Sequence, residues 1–126
     1  MTMNRRAVVA TLIVVASSLT WVYAADVTGR WTAKFPTQAG EQEYTYDFVV
    51  KGTVLTGTAK GNLLGETPLT EGKVEGDKIL FVENAKFMDM PIRIEYTGTV
   101  SSNDEIKFTR KVADFATEDF VARRSK

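Results

Sequence analysis

The stretch Glu43-Tyr44-Thr45-Tyr46-Asp47-Phe48-Val49-Val50-Lys51 carries the fold class of this chain. Tyr44, Tyr46, Phe48 and Val50 share one parity, while Glu43, Thr45, Asp47 and Lys51 share the other. Successive side chains of a β-strand point to opposite faces, so this alternation reads as a strand with one buried and one wet face. Ile92 to Val100 repeats it, with Ile92, Ile94, Tyr96, Gly98 and Val100 against Arg93, Glu95, Thr97 and Thr99. Outward from these two, the chain after Ala25 has no helical period. It has alternation broken by turn residues every eight to twelve positions, the pattern of an all-β sandwich or barrel.

Eight strands are predicted: Val27–Phe35, Glu43–Lys51, Val54–Lys60, Leu69–Glu75, Ile79–Ala85, Ile92–Val100, Glu105–Val112 and Asp119–Arg124. Ile79–Ala85 is apolar on both faces at first, so its register stays open. Pro36, Pro68 and Pro91 are expected at strand ends, where a missing amide donor does no harm. The connections sort into two kinds. Lys51-Gly52, Glu75-Gly76-Asp77 and Ser101 to Asp104 are tight and polar, with the residues hairpins need. Pro36–Glu41, Gly61–Glu66, Lys86–Met90 and Ala113–Thr117 read as longer. In an up-and-down meander the two sets emerge at opposite ends, and the long set carries Leu63, Leu64, Phe87, Met88, Met90 and Phe115.

The first 24 residues read as a secretory signal peptide. Asn4-Arg5-Arg6 supplies the positive start, Ala7 to Ala16 the apolar stretch and Val22-Tyr23-Ala24 a small-residue cleavage pattern. The competing reading, an uncleaved anchor, has a segment at the short limit for a bilayer, weakened by Ser17, Ser18 and Thr20. The expected organisation is a signal peptide over 1–24 and one barrel domain over 25–126, exported to the periplasm or secreted, with no membrane span in the mature chain. After Ala24 remain 14 of the 16 basic residues and all 16 acidic ones, a net charge of −2. With no clustered basic face, nucleic acid is not an expected partner.

There is no histidine and no cysteine. That removes the imidazole base, the thiol nucleophile, the disulfide framework and ordinary zinc or copper sites. The adjacent acidic pairs Asp104-Glu105 and Glu118-Asp119 point to opposite strand faces and do not converge on one substrate. No spaced acidic run suits calcium. A non-enzyme without cofactor or metal is expected.

Gly29-Arg30-Trp31, opening the first strand, is a G-x-W motif that resembles the lipocalin and calycin superfamily, which includes fatty-acid-binding proteins and avidins. The resemblance implies an eight-stranded antiparallel up-and-down barrel in which Trp31 closes one end beneath a basic residue of the last strand. Arg124, in line with Phe120 and Ala122, matches that residue, with Arg110 in reserve. The chain lacks the lipocalin disulfide and second motif and the tryptophans of an avidin pocket, so no biotin site carries over. It also resembles small exported bacterial barrels with Gly-Asp turns and a Phe-x-Ala-x-Arg ending, a likeness that bears on fold and not on activity.

Two binding readings follow. Tyr44, Tyr46, Phe48, Tyr96 and Phe108 either line a small apolar ligand cavity, with tyrosine hydroxyls orienting the ligand, or fill the barrel as core. Leu63, Leu64, Phe87, Met88, Met90 and Phe115 either cover the mouth or form an exposed patch for a protein partner, which would make the chain a protein-binding module such as an inhibitor or envelope accessory subunit. The leading expectation is a small apolar ligand at the mouth or interior. An enclosed cavity favours it, whereas a filled barrel with protruding Leu64, Phe87 and Met88 favours the protein partner.

Overall fold

A computed structural model describes residues 25–125. The signal-peptide reading of residues 1–24 lies outside the described residues. Eight strands follow one another: β1 (Gly29–Thr37), β2 (Gly40–Lys51), β3 (Val54–Gly61), β4 (Gly65–Glu75), β5 (Lys78–Phe87), β6 (Met90–Ser102), β7 (Glu105–Val112) and β8 (Ala116–Arg124). Each pairs antiparallel with its neighbour in sequence, and β1 pairs with β8 to close the barrel.

The alternation of Glu43–Lys51 is the alternation of the wall. Tyr44, Tyr46 and Phe48 are buried and Glu43 is exposed. In β5, whose register the sequence left open, Ile79, Phe81, Glu83 and Ala85 face inward and Leu80 faces out. The interior therefore receives one carboxylate among its apolar side chains. Val82, of outward parity, is also buried.

The long connections are shorter than the sequence suggested. Strand pairing continues into them, leaving turns of two or three residues at Gln38-Ala39, Asn62 to Leu64, Met88-Asp89 and Ala113 to Phe115. The reason is visible in the backbone. Met88 (φ 52°) and Asp89 (φ 66°) both adopt the left-handed region, giving a two-residue hairpin of the kind usually signalled by Asn-Gly or Asp-Gly. Without that signal the turn is not legible in sequence. Pro68 likewise lies inside β4, opposite Thr58, where the β3–β4 ladder shifts register, and not at a strand end.

One end carries the turns at Gly52-Thr53, Gly76-Asp77 and Asn103-Asp104, together with residues 25–28, which fold across it. The Ala25 amide donates to the Gly76 carbonyl at 2.8 Å and Val27 is buried. Trp31 Nε1 donates to the Val27 carbonyl at 2.9 Å, and the Arg124 guanidinium lies 4.6 Å from the centre of the Trp31 ring. Gly29 is required here. Its φ of +133° disfavours any side chain, and an added Cβ would stand 3.1 Å from Arg124 Nη1. Gly57 is more constrained still, since a Cβ there would meet the Asp47 carbonyl oxygen at 1.8 Å.

The barrel wall is not uniform. The β1–β8 ladder consists of Trp31 opposite Arg124 and Thr32 opposite Arg123, extended by the Ser125 amide donating to the Arg30 carbonyl at 2.8 Å. Beyond Thr32 the ladder ends, and the stacked rings of Phe35 and Phe120, 4.2 Å apart, bridge the two strands. The β1–β2, β2–β3, β5–β6, β6–β7 and β7–β8 pairs are laddered along most of their length, and the β3–β4 and β4–β5 ladders are each broken by a register shift. The seam is closed by backbone at the Trp31 end and by side chains at the other.

Candidate functional site

The five interior aromatics named from sequence come together as a packed core. Tyr46 is the hub: its ring is within 5.3–6.4 Å, centre to centre, of Tyr44, Phe48, Phe81, Tyr96, Phe108 and Phe120. Stacked and edge-to-face contacts at these spacings are those of rings in mutual contact. Tyr44, Tyr46, Phe48, Tyr96 and Phe108 are thus core residues, which is the filled-barrel alternative of the two weighed for them. An eight-stranded barrel is narrow enough for its own side chains to fill it.

Their hydroxyls, however, belong to a buried polar network that sequence reasoning missed. Glu83, fully buried, accepts from Tyr96 Oη at 2.7 Å and from Tyr44 Oη at 3.0 Å. Tyr46 Oη donates to Tyr96 Oη at 3.1 Å. Arg110 Nη1 donates to the same Tyr96 oxygen at 2.9 Å, so that hydroxyl is used as donor once and as acceptor twice. Arg110 Nε donates to Glu118 Oε1 at 2.8 Å and Nη2 to Gln42 Oε1 at 3.4 Å. The Gln42 amide in turn donates to Thr37 Oγ1 at 3.1 Å. The Arg110 side chain is 1% exposed and Glu118 13%. The guanidinium lies 5.0 Å from the centre of the Tyr44 ring and 5.1 Å from that of Phe35. Among the described residues no buried side-chain nitrogen or oxygen lacks a partner.

Such a cluster is stable only as a whole, because a buried charge must be compensated where it sits. Burial pushes the Glu83 carboxyl above the usual carboxylate range, while the Tyr96 hydroxyl, the Arg110 charge and the Tyr44 hydroxyl pull it the other way. Burial also raises the phenols of Tyr46 and Tyr96 well above their ordinary value. The side chains come from β1, β2, β5, β6, β7 and β8, so no local motif announces them. The one signal available was parity, which places Arg110 in line with Ile106 and Phe108 and Gln42 in line with Tyr44.

Above this network a pocket of about 150 Å³ opens at the end opposite Trp31. Its floor is Arg110, Gln42 and Glu118, and its walls are Leu63, Leu64, Phe87, Ile92, Val112 and Phe115. The β1–β2 turn contributes Thr37, Gln38 and Ala39, across the unladdered half of the seam from Ala116 and Glu118. An adjoining outer cleft shares Thr37, Gln38, Phe115, Ala116 and Glu118, so the pocket also faces solvent through the seam.

Of the six apolar residues placed at this end from sequence, Leu63, Leu64, Phe87 and Phe115 line the pocket and Met88 and Met90 do not. Leu64 packs against the core; Met88 is 83% exposed and Phe115 70%. At the opposite end Gly29, Trp31 and Arg124 are brought together, and Arg110, held in reserve for Trp31, belongs to the mouth instead. Among the described residues no acidic cluster is arranged to hold a metal ion.

No protein-family model matches the chain, and neither a curated protein nor a solved structure matches it significantly.

Proposed function

We propose that this chain is a non-catalytic exported binding protein that holds a small, mainly apolar ligand in the mouth pocket above Arg110. The observation that carries the reading is the composition of that pocket. Six apolar side chains surround a floor of buried polar groups. Concave, largely apolar sites with a few placed polar groups are the usual form of small-molecule sites. The packed interior removes the enclosed cavity as support and confines the reading to the mouth. There Leu64 packs against the core and does not protrude with Phe87 and Met88. The lipocalin-like layout agrees with it, and residues 1–24 supply the reading of export.

Native mass spectrometry of the protein purified from its own host tests this. A small adduct is expected on the native protein and is lost in Phe115→Arg, which places charge at the pocket wall. Bare protein in both samples counts against the reading.

A second reading has its own observation. Met88, nearly fully exposed, is held in a left-handed turn that costs a non-glycine residue on the order of 1 kcal/mol. Exposed Met90, Phe87 and Phe115 share that end, and methionine-rich surfaces adapt to protein partners. This reading expects Met88→Ser with Met90→Ser to abolish a protein interaction that Leu64→Ser spares.

A further inference from the structure

The mouth pocket has a floor whose charges are already matched. The Arg110 guanidinium is in direct contact with the Glu118 carboxylate at 2.8 Å, and a second carboxyl, Glu83, stands behind Tyr96 on the same guanidinium. Arginine has five N–H donors and stays protonated in proteins. Three of the five are engaged, by Glu118, Tyr96 and Gln42, the last at the long distance of 3.4 Å. The floor therefore offers donor capacity without a net positive charge.

We propose that the ligand of this pocket is a neutral molecule with a hydrogen-bond-accepting oxygen at one end and a short apolar body, and neither a carboxylate nor a cation. This rests on the mouth-pocket reading above. An incoming carboxylate would bring a second anion against Glu118, whose side chain is only 13% exposed and so is screened less than a charge in bulk water. Its desolvation would also go uncompensated, because the guanidinium is already paired. A cation would meet Arg110. A ketone, ester or amide oxygen takes the place of the long 3.4 Å Gln42 contact on Arg110 while Leu63, Leu64, Val112 and Phe115 cover the hydrocarbon. A volume of about 150 Å³ suits a body about the size of benzene, as an engineered apolar cavity of that size does, and the open seam lets a longer tail emerge.

The experiment is a set of amide chemical-shift titrations of the ¹⁵N-labelled protein with three probes of matched length: 2-heptanone, hexanoate and hexylammonium. The expected result is that 2-heptanone shifts the amides of Leu63, Leu64, Val112 and Phe115, with hexanoate and hexylammonium binding at least about tenfold more weakly, as a loss of roughly 1.4 kcal/mol corresponds to. Glu118→Gln, which removes one negative charge at nearly constant shape, is expected to strengthen hexanoate about tenfold. Hexanoate or hexylammonium binding the native protein as tightly as 2-heptanone, with shifts at those same residues, overturns the neutral-ligand inference and keeps the pocket. An unchanged hexanoate affinity in Glu118→Gln overturns it as well. No shift at the lining residues with any probe removes the pocket reading itself.

Discussion

Arg124 and Arg110 stand at opposite ends of one barrel, each against aromatic rings, and their partners differ in kind. Arg124 donates from Nη1 to the Thr28 carbonyl, from Nη2 to that of Asp26 and from Nε to that of Asn103, at 2.8, 3.3 and 2.9 Å. All three hydrogen-bond acceptors are backbone, and the one carboxylate in reach, Asp104 at 3.6 Å, is exposed. They join the first and last strands to the β6–β7 turn, and the guanidinium covers Trp31. Arg110 donates to three side chains, Glu118, Tyr96 and Gln42, and lies at the floor of a pocket. Backbone acceptors are present whatever the sequence, so Arg124 acts as a clamp. Side-chain acceptors set a charge balance that each substitution changes, so the Arg110 end is the one whose electrostatics depend on its neighbours' identity.

The largest effects are expected at the clamp. Trp31→Ala should destabilise by about 3 to 5 kcal/mol in urea denaturation, as removal of a large buried aromatic does. A double-mutant cycle with Arg124→Ala should give a coupling of at least about 0.5 kcal/mol, since the two groups touch. Zero coupling would break the picture of one unit.

Next comes the network at the other end. Arg110→Met strands Glu83 and Glu118, and breaking a buried pair from one side costs about 3 to 5 kcal/mol, of which the partly exposed Glu118 contributes the smaller share. Adding Glu83→Gln and Glu118→Gln should restore much of the loss. If the single variant melts like the native protein, the charge balance argued for the mouth is wrong.

The pH dependence sharpens the contrast, because every tyrosine after Ala24 lies in the core at Tyr44, Tyr46 and Tyr96. Burial raises all three phenols above their ordinary value of 10.0. In the unfolded chain they ionise near 10.0 and in the folded chain only higher, so their contribution is whole below pH 10.0 and is lost as pH rises above it. Each phenol removes up to about 1.4 kcal/mol per pH unit in that window. Tyr46→Phe should flatten the alkaline fall in stability, whereas Arg124→Ala should leave its slope unchanged. Glu83 acts with the same sign in acid. Its folded pKa lies above 4.5, so its contribution is full below that value and declines as pH rises through it. An alkaline slope identical in native protein and Tyr46→Phe would count against a buried Tyr46.

The smallest effects separate the rim from the wall. Leu64 packs on the core, so Leu64→Ser should cost about 1 to 2 kcal/mol of lost burial in thermal melts. Met88→Ser should stay within about 0.5 kcal/mol, as exposed positions usually do. Lys73→Ser, exposed near the Gly76-Asp77 turn at the Trp31 end, should be equally silent. A large loss from Met88→Ser would show that the β5–β6 turn is part of the core.

Much of the wall was legible. The eight strands, the inward parity of Tyr44, Ile94 and Phe108, and the tight turns at Gly52, Gly76 and Asn103 follow from side-chain alternation and turn chemistry, which are local. The turns at Met88-Asp89 and Ala113 to Phe115 were read as longer because Met88, Asp89 and Ala113 take left-handed backbone without the glycine that normally signals it. The mouth site was the least legible part. Glu83 sits in a strand apolar on both faces, where alternation does not choose between Leu80 and Phe81 for the inside. Only the ladder with β6, which sets Phe81 opposite Tyr96, decides it.

By itself, then, the sequence determined an all-β chain of eight strands, which residues share a face, and the absence of histidine and cysteine chemistry. The tertiary structure alone decided that the barrel is filled, that β1 and β8 are laddered only near Trp31, and that Arg110 meets Glu118 and Gln42 beneath a pocket. Alternation repeats every two residues and is written along the strand. The partners of Arg110 range from Glu118, opposite it in the β7–β8 hairpin, to Gln42, 68 residues away along the chain, which becomes a neighbour only when the barrel closes.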